Sequence, residues 1–407
     1  MRDSLYAQFD AATCTDDEVG ICVRCAKAAS LKRFVEHHSI LGPVCVICWR
    51  TDAPYKVSDP GKRTEFTKLL RALIRFHVNE HEYNPHWGGE HSPVTLLMKP
   101  NPILETPQDA GCVAPLGDTD AFLESYFEDP YPPVDEGISI YAGHDDQGMR
   151  HIQFAISQRE SRALKELRDR LLRENAYAVE AAAEALVAKL GDRVVHAVSA
   201  GSRYARARIG VHAQFQRHSE GWSPDIRHQP YQGDRLGVPP PPSARAGRLN
   251  RAGVAFLYAA TDIGTAVAEV RPHPGHLVSV GWFETAKALR LACLDADIAL
   301  FSANEQELDL FHFLHSTSKA MSMPVPPGED KAYTVTQLVA DCLRKVDFDG
   351  VLFKSSVGVG DNVCLFDPAT CRYVEGSAQV LNVKRLAYEH EDAPMLLTPE
   401  DGDHRIE

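Results

Sequence analysis

Gly247–Gly275 is GRLNRAGVAFLYAATDIGTAVAEVRPHPG, and its reading decides the fold of the C-terminal half. Arg248 follows a glycine, and the run VAFLYAA behind it has the length and composition of a strand ending near Tyr258. Thr261 or Asp262 then caps the helical stretch TDIGTAVAEVR by accepting from its first amides. Glu269 is the single acid of TAVAEV, an otherwise small, apolar surface. A carboxylate there is either paired or functional, because burying it alone is expensive. Arginine, tyrosine and glutamate in that order suit a pocket holding an anion at one end and a developing cation at the other.

Outward from this block the same character continues. Short β-rich runs, VVHAVSA, GSRYARARIGV, HLVSVGWFE, LRLACLDA, GVLFKSS and NVCLFDP, alternate with Gly/Pro-dense turns and a second helical pattern, TVTQLVADCLRKVD. Arg206 in YARAR is, like Arg248, a planar donor suited to phosphate oxygens. SSVGVGDN, with Ser355, Ser356 and Asn362, joins hydroxyls, glycines and an amide just after a strand. Two readings stay open for the arginines: phosphate ligands, or surface charges and partners of Glu269. Tyr258 is equally a core ring, and either serine equally a turn cap. Neither a strand-linked G-x-G-x-x-G nor a G-x4-G-K-[ST] loop is present, so residue chemistry alone stops at an anion-binding cleft.

Toward the N-terminus, GICVRCAKAASLKRFVEHHSILGPVCVICW holds two C-x2-C pairs, Cys22 with Cys25 and Cys45 with Cys48. Two such knuckles complete a four-thiolate site of the structural zinc kind, which leaves no open position for chemistry. The alternative is a reduced cysteine cluster in a small core. Cys14 is unassigned, and the singly scattered cysteines, such as Cys112, suit buried apolar positions. From about Thr64 to Leu190 the pattern is helical, in TEFTKLLRALIRFHVNEH, DAFLESYFE and SQRESRALKELRDRLLRENAYAVEAAAEALVAKL, broken by Gly/Pro loops. Arg71 and His77 form an R-x5-H spacing found in RNA-cleaving helical pairs; as amphipathic-helix residues they are more simply structural.

The 407 residues exceed one core and predict two or three domains. With 44% hydrophobic and 24% charged residues the composition is that of a soluble protein, and the net charge of −13 weighs against nucleic acid and anionic membrane. No apolar run of about 18 residues and no export signal is found, so a cytoplasmic chain is expected. The acidic, proline-containing end YEHEDAPMLLTPEDGDHRIE is expected to be a loose tail.

YARARI, then PPPPSARAGRLNRAGVAFLYAATDIGTAVAEVRP, then MSMPVPPGEDKAYTVTQLVADCLRKVDFDGVLFKSSVGVGDNVCLFD, in that order and spacing, resemble the RES domain family over roughly Val198 to Val380. The resemblance implies an ADP-ribosyltransferase-like fold and an NAD+-destroying toxin, acting by phosphorolysis with inorganic phosphate or by related transfer or hydrolysis, and neutralised in many members by an antitoxin protein. It assigns the family's two arginines to Arg206 and Arg248, its tyrosine to Tyr258, its glutamate to Glu269, its serine to Ser355 or the neighbouring Ser356, and a recurring polar position to Asn362. NRAG stands where the family often has an N-P-x-G turn, so Arg251 is a departure. The upstream half is similar to the HEPN-related region of longer members.

The sequence thus predicts an α+β chain: a zinc-knuckle element over 1–60, a mainly helical HEPN-like domain over 61–195, a catalytic mixed α/β domain over 196–385 and a tail over 386–407. In use Glu269 would face the oxocarbenium-like ribose, Arg206 and Arg248 the phosphates, Tyr258 the ribose, and Ser355 and Asn362 the nicotinamide. The rivals are an ADP-ribosyltransferase acting on protein or nucleic acid and a non-catalytic binding module. Self-association is left open.

Overall fold

The computed structural model describes residues 19–42, 44–48, 55–83, 88–89, 91, 93–98, 103–107, 109–110, 119–120, 123, 154–217, 225–323 and 333–387. Cys14, Cys112, most of DAFLESYFE and the acidic end from 388 lie outside these residues. The mixed α+β class expected from the patterns is the one found.

Among the described residues the first elements are β1 (Val19–Gly20), α1 (Ala29–His37), β2 (Ser39–Gly42), β3 (Val44–Cys45) and β4 (Tyr55–Ser58). β1 pairs with β3 and β2 with β4, two small ribbons that bring both cysteine pairs to one point. Helices follow: α2 (Arg63–His77), α3 (Glu80–Tyr83), α4 (Pro93–Met98), α5 (Arg162–Leu171) and α6 (Ala176–Leu190). Ser161 caps α5 by accepting from the Leu164 amide at 3.2 Å, and Asn175 caps α6 by accepting from Ala178 at 3.0 Å.

Next come β5 (Val195–Val198), β6 (Arg203–Ile209), β7 (Ala213–Arg217), β8 (Asp225–Gln229), β9 (Leu257–Ala260), α7 (Ile263–Glu269), β10 (Leu277–Thr285) and β11 (Leu289–Cys293). The series ends with α8 (Glu305–Ser322), α9 (Thr334–Lys345), β12 (Gly350–Lys354), β13 (Asp361–Leu365), β14 (Cys371–Tyr373) and β15 (Gln379–Asn382). The main sheet runs β14-β10-β6-β9-β13-β12-β11-β5, with β15 also on β10 and β7-β8 a separate hairpin. Within it β11 and β12 are parallel and the other pairs antiparallel.

β6 and β9 share a single register pair, Ala205 with Ala260, so the sheet has a seam there. Strand alternation separates its two faces. Ala205, Ala207, Ala260, Val278 and Val280 pack with Ala266 of α7. Val351, Phe353 and Cys364, farther along that face, join the cluster containing α8 and α9. Tyr204, Leu257, Ala259, Phe283, Val363 and Leu365 face the other way, beneath Leu236.

The largest buried cluster runs from Ile21 through α2, α5 and α6 to α8, α9 and Phe366. Polar ties follow it: the Ser161 amide donates to Ser316 Oγ at 2.9 Å, and Lys345 of α9 pairs with Glu180 of α6 at 2.8 Å. The helices ahead of the sheet therefore share its core instead of closing one of their own. Among the described residues no helix is long and apolar enough to cross a membrane.

Candidate active site

Glu269 ends α7, and its carboxylate is fixed from one side. Ser355 Oγ donates to Oε1 at 2.7 Å and Asn362 Nδ2 donates to the same oxygen at 2.6 Å. Oε2 has no hydrogen-bond partner, and Glu269 no ion pair, among the described residues. The Ser355 hydroxyl is saturated: it gives its proton to Glu269 and accepts from the amides of Val357 at 3.2 Å and Gly358 at 3.0 Å. A hydroxyl so engaged positions a carboxylate; it is not poised as a nucleophile.

The local sequence explains this placement. Asp262 caps α7 by accepting from the Thr265 amide at 2.8 Å, and Thr265 Oγ1 donates back to it at 2.7 Å. That amide holds the Asp262 carboxyl below its ordinary pKa. The same Thr265 Oγ1 accepts from the Gly360 amide at 2.9 Å, tying the loop after β12 to the helix start. A Cβ at Gly360 would lie 2.0 Å from Asp262 Oδ2, and one at Gly358 would lie 2.8 Å from Thr265 Cα, so only glycine permits this approach.

Arg248 lies on the loop before β9. Its Nη1 donates to the carbonyls of Met321 and Ser322, at 3.1 and 3.3 Å, in the last turn of α8. Nε and Nη2 have no partner among the described residues. Ser356 Oγ donates to the same Ser322 carbonyl at 2.8 Å, which separates the two serines: Ser355 holds Glu269, and Ser356 holds the helix end that carries Arg248.

Tyr258 is partly buried, and the loss of solvent around its phenol raises the pKa well above the ordinary value. Its hydroxyl donates to Asn250 Oδ1 at 2.8 Å and accepts from the Leu249 amide at 3.0 Å. Asn250, which the sequence reading did not single out, is 4% exposed and donates to the carbonyls of Arg245, Arg251 and Val254. From α9, Gln337 Nε2 donates to the carbonyls of Gly247 and Asn250, and Thr336 Oγ1 to that of Arg248. The available signal was an asparagine inside a Gly-rich turn, GRLNRAG, where buried carbonyls need a donor.

Arg206 is placed differently. Its register partner on β10 is Gly281, so it points to the face under Leu236, away from the Tyr258 ring and Asn362. Nε donates to Leu236 O at 2.9 Å, Nη2 to Gly237 O at 3.3 Å, and Nη1 to Tyr258 O across the seam. Burial lowers its pKa to about 10, so it stays charged at neutral pH. Two N–H groups remain beyond these three bonds. Arg271, the other arginine of the opening block, is an exposed residue at φ 48°.

The four N-terminal cysteines are all buried, with their sulfur atoms within 4.8 Å of one another. Cys22 Sγ and Cys48 Sγ are 3.9 Å apart, against an edge of about 3.8 Å for a tetrahedron with metal–sulfur bonds of about 2.3 Å. Hydrogen bonds from the Cys25 and Cys45 thiols favour the Cys22 thiolate, and sharing with Cys22 pushes the thiols of Cys25 and Cys45 up. Such a donor set fits one thiophilic cation. Arg71 of the R-x5-H spacing is fully buried, and His77 lines a cleft described below.

Residues 215–384 match the family model of the RES domain, rather less than half of the chain, with Arg206 just ahead of the matched range. No curated protein matches the chain. Among solved structures it is similar to one described as the crystal structure of the M. tuberculosis MbcT-MbcA toxin-antitoxin complex. The likeness has 14% identity and a TM-score of 0.26, and covers 49% of this chain and 92% of that one.

Proposed function

We propose, from the RES domain at residues 215–384, that this chain cleaves the nicotinamide–ribose bond of NAD+. The observation that carries the reading is Glu269, a carboxylate with one oxygen locked by Ser355 and Asn362 and the other free. Nicotinamide takes the electron pair of the C–N bond and leaves neutral from a cationic ring, so no proton need be supplied. Positive charge then develops on the ribose. A preorganised carboxylate stabilises that charge more than it stabilises ground-state NAD+, which is what lowers a barrier.

Arg248, with Nε and Nη2 open, is the proposed ligand for the pyrophosphate or for an incoming phosphate. Arg206 closes the β6/β9 seam from the opposite face, where it holds the carbonyls of Leu236, Gly237 and Tyr258. Ser355 and Asn362 set the glutamate, and Tyr258, locked by Asn250, sets the backbone between the arginines. Inorganic phosphate is the proposed acceptor, its oxygen forming the new bond at C1′ to give ADP-ribose phosphate. Consumption of NAD+ would make the chain a toxin, with an antitoxin protein as its partner. The Cys22, Cys25, Cys45 and Cys48 cluster is proposed to bind structural zinc, which supplies no step of this chemistry.

The test is incubation with NAD+ with and without phosphate, the products separated by mass. Nicotinamide with ADP-ribose phosphate is expected. ADP-ribose alone in both arms would reject phosphate as acceptor, ADP-ribose on a macromolecule would favour the transferase, and unchanged NAD+ would reject the enzyme.

A further inference from the structure

A cleft of about 720 Å³ lies away from Glu269, where α1 and α2 meet α8 and the chain following β11. One wall is aromatic. Phe76 packs its edge against His315 at 5.1 Å and against Phe311 at 6.1 Å, His315 stacks on Phe311 at 6.1 Å, and His77 meets Phe76 at 4.8 Å. The imidazoles of His77 and His315 line the space without a hydrogen-bond partner among the described residues. Burial lowers the pKa of both, so each presents one N–H donor and one nitrogen acceptor at neutral pH.

The charges across from this wall are already matched. Arg33 binds Asp297 through Nε at 2.8 Å and Nη2 at 2.7 Å, and Asp295 faces Lys354 at 3.8 Å. Among the described lining residues no uncompensated cation is left for a phosphate, and Asp295 would repel one. Ring faces and neutral donor–acceptor pairs suit a flat, uncharged molecule with amide edges. The volume is within the range of small-molecule sites.

We propose that this cleft is a second ligand site, taking an uncharged planar heteroaromatic of nicotinamide or nucleobase type. It is wired to the active site on two routes. Lys354 lies 3.8 Å from Asp295 and pairs with Asp361 at 2.9 Å, and Lys354 and Asp361 flank the loop that holds Ser355. α8, which carries Phe311 and His315, ends on the Met321 and Ser322 carbonyls that hold Arg248. A cleft ligand would therefore bear on both catalytic segments; that consequence rests on the NAD+ reading, whereas the binding does not.

Equilibrium binding to the full chain at pH 7.5 tests it, with nicotinamide, adenine and adenosine monophosphate as separate probes. One neutral probe is expected to saturate with a Kd below about 1 mM, and which one does distinguishes a reaction product from a free base. Binding should survive Glu269→Gln and weaken at least tenfold in both His315→Ala and the space-filling Ala296→Leu. If one variant fails to fold, the other decides. Absence of saturable binding by either neutral probe, tighter binding of the monophosphate, or indifference to both cleft substitutions would overturn the proposal. NAD+ turnover of the unsubstituted chain, measured in parallel, separates such a failure from a failure of the proposed reaction.

Discussion

At the residue scale the site is a set of side chains whose polar atoms are spent on holding one another. Asn250 is the clearest case, since its amide serves three carbonyls and the Tyr258 hydroxyl from a buried position. Asn250→Ala leaves several buried groups unpaired, each costing about 1–3 kcal/mol. Chemical denaturation should show a loss of roughly 3 kcal/mol or more. A second expectation concerns Arg206→Lys. An ammonium is a point donor and cannot span Leu236, Gly237 and Tyr258 as the guanidinium fork does. The melting temperature should fall, and the Leu236–Gly237 turn should gain amide exchange, while Arg248→Ala should chiefly raise KM. Arg248, Tyr258 and Glu269 stand out in the sequence as the chemistry-bearing side chains of a small, apolar block. Asn250 does not, because a structural asparagine and a solvated turn asparagine look alike until the carbonyls around it are seen.

At the element scale the active loop depends on α7 and β12–β13 approaching closely. Gly360→Ala drives a methyl into Asp262 Oδ2 and Thr261 Oγ1. We expect a cost of about 1–3 kcal/mol, as for other overpacked sites, and a fall in kcat larger than the change in KM, because Ser355 and Asn362 lose their grip on Glu269. Thermal melts with steady-state rates would check both. The strands of the main sheet around β9 and β13 and the helices α7 and α9 were readable from alternation and caps. α8 was missed, although Asn304 accepting from the Glu307 amide at 3.0 Å is a helix-start signal present in NEQE. The reason is physical: Leu308, Leu310, Phe311, Phe313, Leu314 and Met321 are all buried, on more than one side, so the helical period fades. The helix left out is the one whose end holds Arg248 and whose middle lines the second cleft.

At the scale of the whole molecule, one core joins the cysteine element, the helices and the sheet, so damage at one end should be felt at the other. Cys45→Ser is expected to abolish metal binding, read as zinc per chain by elemental analysis, and to lower the melting temperature cooperatively; protein free of metal with unchanged melting would contradict this. Acid should also weaken the fold. Burial lowers the pKa of His77, His312 and His315, with Arg75 and Lys319 acting in the same direction on His312 and His315, and Asp295 and Glu160 opposing. The unfolded chain takes up protons below about pH 6.5 where the folded one does not, so stability is full above that pH and is lost below it, by at most about 1.4 kcal/mol per pH unit for each proton. His312→Gln should shrink the difference in melting temperature between pH 7.5 and 5.5. The sequence could not reveal this shared core, because composition marks helices and strands but not which of them bury each other.

The central claim is that Glu269, aimed by Ser355 and Asn362, stabilises the cation formed as nicotinamide leaves. Its most direct test is the single-turnover rate of nicotinamide release from NAD+ by the unsubstituted chain and by Glu269→Gln, an isosteric change that removes the charge. The account predicts a loss of at least about a hundredfold with unchanged melting. Equal rates in the two proteins would contradict it.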